Sequence, residues 1–449
     1  MKIRLTLLCS TFFLLATACR AALPADSADV PRVISLSECL RIGLNNNYAL
    51  RIVRNNERIA AGNATRANAG YLPTVSATAG YGGSVQSRGT RERDTHVRTN
   101  ENGVADHSLS AGVNAEWTIF DGFKIQTNYQ RLQELKRQSA TQTRIALEDY
   151  MATLVAEYYN FVQQHIRMRN LRYAVALSRE RLRIVQERYI IGSNSRLDLQ
   201  QAQVDFNADS AQSLKQHELL ATSRIRINEL MAAKDIDRPL VVSDTAINVN
   251  NALSFDSLWL ATLRDNNELV LADRNKRLAD LDLRSVRSRD YPYVKLNAGY
   301  GYSQNFYGTG ATDRRQTYGP DFGVTVGFKL FDGQRAREQR NARIAIENAE
   351  LARQDLENTL RADLSDLWQA YRNNLRLLDL ERQNLITAQE NHFIAYERYL
   401  LGDLSGIEMR EAQKSLLDAE ERILMAEYNT KLCEISLQQI SGGILCYLE

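Results

Sequence analysis

The stretch ERYIIGSNSRLDLQQAQ at residues 187–203 returns 210 residues later as ERYLLGDLSGIEMREAQ at 397–413. In each copy a run of helix formers stops at a glycine, Gly192 or Gly402. A serine, Ser195 or Ser405, then stands three residues before an acid, Asp198 or Glu408. A glycine stop followed by a Ser-x-x-acid start is the pattern of two helices joined by a tight turn. Internal repetition constrains a fold more strongly than any single element.

It extends over most of the chain. LNNNYAL at 44–50 aligns with LRDNNEL at 263–269, and the same offset of 219 carries Pro73 onto Pro292 and Gly80-Tyr81-Gly82 onto Gly299-Tyr300-Gly301. IFDG at 119–122 then matches LFDG at 330–333 with an offset of 211, so the second copy is shorter between two strands, where a loop can lose residues freely. Within each copy the hydrophobic period switches in the same order. A helical period over 36–70 ends before Pro73, since proline disfavours helix in the residue preceding it. A period of two follows, in which Val75, Ala77, Ala79 and Tyr81 alternate with small or polar residues. The predicted strands are 74–83 and 108–120, then 293–303 and 322–331, each pair joined by a polar loop, about 83–107 and 303–321. Those loops carry Arg88, Arg91, Arg93, Arg98, Arg314 and Arg315, read as solvated loop charge. Long helices are predicted over 122–189 and 333–401, and helices of about half that length after each glycine turn. At 1.5 Å per residue each long helix makes a rod of roughly 100 Å, antiparallel to two short helices stacked end to end. The first repeat is 36–233, the second 255–441, and 234–254 crosses the middle of the rod as an equatorial connector.

Composition narrows the function. The 449 residues are 44% hydrophobic and 24% charged with a formal net charge of +2, and no basic stripe interleaved with aromatics argues for nucleic acid. Residues 1–21 read as a secretory signal peptide with cleavage near 18–22, and Cys19 is a loose fit to a lipidation site. Cys39, Cys433 and Cys446 fit no metal spacing and are read as packing residues. No GxxxxGK[ST], HExxH or GxSxG motif is present, and no cofactor is expected.

A rod of roughly 100 Å exceeds the hydrocarbon core of about 30 Å and must project into water. Four strands cannot close a barrel, and open sheet edges are not tolerated in lipid, so several copies would have to pool their strands. A soluble sheet packed on helices would show the same alternation, which leaves that alternative open.

The LNNN and DNNEL helix starts, the YLP and DYP segments, the FDG corners 120–122 and 331–333 and the paired ERYIIG and ERYLLG turns resemble the TolC-like outer-membrane efflux proteins. The resemblance runs along essentially the whole mature chain. It departs at Tyr48 and Asn267, where the family often has proline. It implies a mainly α fold with a membrane β-barrel part: a homotrimer with a 12-stranded barrel in outer-membrane lipid and a 12-helix α-barrel crossing the periplasm. It also implies a periplasmic adaptor and an inner-membrane pump as partners, export of drugs, metal ions or proteins, and no catalysis. The acidic pair of the family's closed periplasmic mouth falls on Glu408 and Glu411, with Asp198 and Gln201 at the matching positions of the first copy. Tyr399 fits the tyrosine of the family's latch, and Leu404 stands where its arginine would be. Capping alone accounts for Glu408 and Asp198 but leaves Glu411 unexplained. The reading from a different class is a periplasmic coiled-coil adaptor or scaffold without a pore.

Overall fold

The computed structural model describes residues 32–448; the expected leader and Cys19 lie outside them. In chain order the elements are β1 (Arg32–Ile34), α1 (Leu36–Asn46), α2 (Tyr48–Asn63), α3 (Arg66–Ala69), β2 (Thr74–Arg91), β3 (Arg98–Asp121), α4 (Lys124–Ile190), α5 (Arg196–Leu230) and β4 (Leu240–Val242). There follow α6 (Phe255–Asp265), α7 (Asn267–Arg287), β5 (Tyr293–Phe306), β6 (Arg314–Gly327), α8 (Gly333–Leu401) and α9 (Gly406–Ile440). The protein is mainly helical, and α4 and α8, of 67 and 69 residues, are each about 100 Å long.

The single helix expected over 36–70 and its counterpart at the start of the second repeat are each broken, and asparagines make the breaks. Asn47 leaves helical geometry at ψ 126° and Asn266 at ψ 119°. The side-chain oxygen of Asn47 accepts from Leu50 N at 3.2 Å, and its Nδ2 donates to Leu230 O, the last carbonyl of α5, at 3.0 Å. Asn266 repeats the arrangement, accepting from Glu268 N and Leu269 N and donating to Ile440 O at the end of α9 at 2.9 Å. Each amide therefore caps the start of one short helix and satisfies the end of another, which joins α5 to α2 and α9 to α7 end to end. The helical layer consequently has the order α5–α4–α9–α8 toward the glycine turns and α2–α4–α7–α8 toward the strands.

The largest apolar core lies midway along the rod. Cys39, Leu40, Leu154, Val155, Tyr158 and Val162 pack there with Ile227, Val242, Ile247 and Ile444. The connector reaches it through β4, which pairs in parallel with β1. Cys433 is not bridged to Cys446; its sulfur accepts from Asn374 Nδ2 at 3.4 Å.

The strands form one antiparallel sheet in the order β2-β3-β5-β6. The register aligns residues of like character in rows across it. Val75, Ala115, Ala298 and Phe322 make one row and Ala77, Val113, Tyr300 and Pro320 another, while Ser76, Asn114, Gly299 and Asp321 lie on the opposite face. The apolar face is bare in the protomer: Tyr81 is 71% exposed and Phe322 87%. A soluble sheet packed on helices would have buried it.

Strand lengths differ from expectation. β2 and β3 run on through most of the 83–107 segment expected as loop, with Ser84 paired to Asp106 and Thr90 to Thr99. Backbone pairing continues where hydrophobic alternation stops, because most of that ribbon is exposed on both faces, the buried Val104 excepted, and so selects few apolar residues. β6 starts at Arg314 and ends at Gly327, so Phe328 and Leu330 of the predicted strand 322–331 lie beyond it. At the FDG corners the aspartates cap the long helices: Asp121 Oδ1 accepts from Ile125 N at 3.0 Å, and Asp332 Oδ1 from Gln334 N at 3.1 Å. Gly122 sits at φ 69°, where a Cβ would fall 2.0 Å from Ser288 O, so that corner requires glycine.

Candidate functional site: the helical tip

The two glycine turns close the end of the rod remote from the sheet. Gly192 and Gly402 have φ of 82° and 87°. Gly402 N donates to Tyr399 O and Asp403 N to Arg398 O, and the first copy repeats both bonds from Gly192 and Ser193. This is the paired 5→2 and 6→1 closure of a left-handed helix stop. Beyond each turn the capping box is complete. Ser405 N and Oγ donate to Glu408 Oε2 at 3.1 and 2.8 Å, and Ser195 N and Oγ donate to Asp198 Oδ2 at 3.0 and 2.8 Å. Ser405's bonds hold the Glu408 carboxyl below its ordinary pKa.

Glu408 and Glu411 are exposed, three residues apart, while Met409, Ala412 and Gln413 between and after them are buried. The two acids therefore share the face of α9 that turns away from its packed neighbours. Asp198 and Gln201 are exposed likewise, and Gln201 Nε2 donates to Asp205 Oδ1 at 3.0 Å. Tyr399 is placed differently from these four. It is buried in a small tip core with Ala395, Met409 and Ala412, against which Leu177, Ile184 and Leu404 pack. Leu404 thus fills an apolar gap in the place where the family resemblance calls for an arginine.

An arginine from the first copy serves Tyr399 instead. The Arg188 guanidinium lies 5.1 Å from the centre of the Tyr399 ring and donates to the backbone oxygens of Tyr399 and Leu400 at 3.2 and 3.3 Å, closing the end of α8. Burial raises the Tyr399 hydroxyl pKa, with Arg188 and Arg181 opposing.

Sequence reasoning missed a buried ion cluster one to three turns above. Arg410 of α9 grips Asp209 of α5 with two bonds of 2.7 Å across α4, and Arg181 of α4 donates to Asp205 at 2.6 Å. Ser178 Oγ also donates to Asp209, and Gln413 Nε2 donates to Ser178 Oγ at 3.1 Å. The cluster carries two positive and two negative groups and ties both hairpins of the tip together. A signal existed: Asp209, Gln216 and Ser223 recur every seven residues along α5, the spacing of a packed seam. Among the described residues no group of His, Cys, Asp and Glu is arranged to hold a metal, and no helix is long and apolar enough to cross a membrane.

The chain is similar to the outer membrane protein TolC of Vibrio cholerae serotype O1, with 20% identity over 387 residues that cover 85% of this chain and 84% of the relative. Its fold is similar to the Campylobacter jejuni CmeC outer membrane channel, with a TM-score of 0.74, 16% identity and coverage of 91% of this chain and 85% of that one. It is also similar to the open state of the Neisseria gonorrhoeae MtrE outer membrane channel, with a TM-score of 0.70, 15% identity and coverage of 91% and 89%. A family model described as outer membrane efflux protein matches residues 40–233 and 260–443, more than half of the chain, and the protein belongs to the outer membrane efflux protein family.

Proposed function

We propose that this protein is an outer-membrane efflux channel whose protomers close into a trimer, with twelve strands forming a barrel in the membrane and the helical layer a tunnel through the periplasm. The observation that carries this reading is that both layers are open at matching ends. The sheet ends in β2 and β6, each with one open edge, and the lower helical layer ends in α5 and α8. A head-to-tail contact that joins β6 to the next β2 would at once join α8 to the next α5, and such contacts form a ring when their rotation closes. Apolar residues stand ready on both helical edges, including Val204 and Leu214 on α5 and Ile386 and Phe393 on α8. The bare apolar face of the sheet suits lipid, and the face bearing Ser76, Asn114 and Asp321 suits an aqueous lumen. Drugs, metal ions or proteins would pass outward through it, delivered by an inner-membrane pump and a periplasmic adaptor that docks the helical tunnel.

In this reading the tip is the closed periplasmic mouth. Asp198, Glu408 and Glu411 of three copies would gather about nine carboxylates around one axis, which favours cations and offers divalent ions a place to block. Gly192 and Gly402 shape the two turns, Gln201 binds the cluster through Asp205, and Tyr399 anchors α8. Opening would separate the hairpins by breaking the Arg410–Asp209 and Arg188–Tyr399 contacts. Two measurements test the reading. Alkaline washing of membranes should leave the protein in the pellet; release as a soluble monomer would favour the adaptor alternative. In planar bilayers, Glu408→Gln with Glu411→Gln should weaken cation selectivity and divalent block, and unchanged conductance would remove the acids from the gate.

A further inference from the structure

Nine buried side-chain polar atoms lack a hydrogen-bond partner among the described residues, and four of them belong to three residues around one cavity at the tip. They are Nε and Nη1 of Arg181, the hydroxyl of Tyr399 and Oε1 of Gln413. These side chains are 5%, 3% and 4% exposed, and they come from α4, α8 and α9 respectively. The cavity is largely enclosed, has about 10 Å³ of free volume, and is otherwise lined by Leu177, Ile184, Tyr396 and Met409 with Glu180 at its margin. That volume is close to the minimum that admits one water molecule.

The chemistry of the four atoms selects the occupant. Arg181 Nη2 already donates to Asp205, which leaves the buried Nε and Nη1, with three N–H bonds between them, free to donate. Gln413 cannot exchange its amide ends, because Nε2 donates to both Ala174 O and Ser178 Oγ, which keeps Oε1 as an acceptor. An anion would be welcomed by Arg181 and Tyr399 but would face the Gln413 oxygen, and the arginine's charge is already balanced in the ion cluster. A molecule that both donates and accepts can serve all three residues, taking one Arg181 nitrogen, the Tyr399 hydroxyl and Gln413 Oε1. Leaving polar groups unpaired in such a site costs more than the bonds themselves contribute when formed.

We propose that a single buried water occupies this cavity, accepting from Arg181 and the Tyr399 hydroxyl and donating to Gln413 Oε1, and that it braces the second hairpin, α8 and α9, against α4 of the first. The water adds to the Gln413–Ser178 bond that already joins α9 to α4, and it brings in α8 through Tyr399. The inference is independent of the channel reading, since it concerns the packing of one protomer's hairpins and is read without conductance.

A crystal structure of the full chain in detergent, at a resolution that orders internal waters, is expected to show one density peak about 2.6–3.2 Å from Gln413 Oε1, Tyr399 Oη and an Arg181 nitrogen. Gln413→Leu and Tyr399→Phe are each expected to abolish or displace the peak. Amide exchange in the turns 191–195 and 402–405 should then become about tenfold faster, the loss of roughly one buried bond. A dry cavity in the unmodified protein overturns the proposal. So does an anomalous peak at the site after a bromide soak, which would identify a halide instead. Exchange unchanged in both variants would overturn the bracing.

Discussion

Asn266 has one amide that starts one helix and ends another. Its oxygen accepts from Glu268 N and Leu269 N, and its nitrogen donates to Ile440 O. The family's proline at the next position would favour the same break by removing a donor that the helix start leaves unused. Here the cap does that work without proline, with Asn267 free to donate to Glu148. Asn266→Ala should lower stability by about 1–2 kcal/mol in denaturant melts, and Asn266→Asp, which keeps the acceptor but loses the donor, should fall between. Arg410 is the other residue with large leverage. Its loss would leave the buried Asp209 carboxylate hydrogen-bonded only by Ser178, with the Arg181 charge still nearby, so Arg410→Ala should cost about 3 kcal/mol, measured by the same melts. At this scale the capping boxes were legible because their partners are three residues apart. The Arg410–Asp209 pair was not, because 201 residues separate its members and no local pattern couples them.

The elements carry the next two predictions. The apolar rows of the sheet assign faces, so Val113→Arg should reduce assembly in the membrane, at a cost of about 2–4 kcal/mol if the site lies at mid-depth. Ser110→Arg on the opposite face should be tolerated, and the yield of membrane-inserted protein compares the two. At the α4–α7 contact, Glu148 accepts from Asn267 Nδ2 at 2.6 Å, and burial pushes its pKa from 4.5 up to about 7, against the lowering effect of that hydrogen bond and of Arg144 and with Asp149 and Glu268 adding to the rise. The folded state then binds a proton that the unfolded chain has released. This contribution to stability is fully present below 4.5 and is lost as pH rises toward about 7. Glu148→Gln should flatten that fall, seen as unfolding midpoints that differ less between about pH 4 and about pH 8 than in the unmodified protein. Helix types and turns were readable at this scale from periods of 3.6 and from glycine stops. The outer part of β2 and β3 was not, because a ribbon exposed over most of both faces has little alternation to read.

For the whole molecule, the prediction is that assembly depends on the open edges. Leu214→Glu together with Ile386→Glu places charge on the exposed apolar edges of α5 and α8, and the trimer proposed above, expected on cross-linking the unmodified protein in detergent, should then be lost while the helical signal stays. The chain's own order of residues determined the element types, their twofold recurrence and the glycine turns, since helix capping, strand alternation and left-handed turns depend on neighbours a few positions away. Tertiary structure alone decided the sheet order β2-β3-β5-β6, the end-to-end joints at Asn47 and Asn266, and the buried cluster of Arg181, Asp205, Asp209 and Arg410. Those features rest on contacts between segments far apart along the chain, where only the packed helices and paired strands bring the partners within hydrogen-bonding distance.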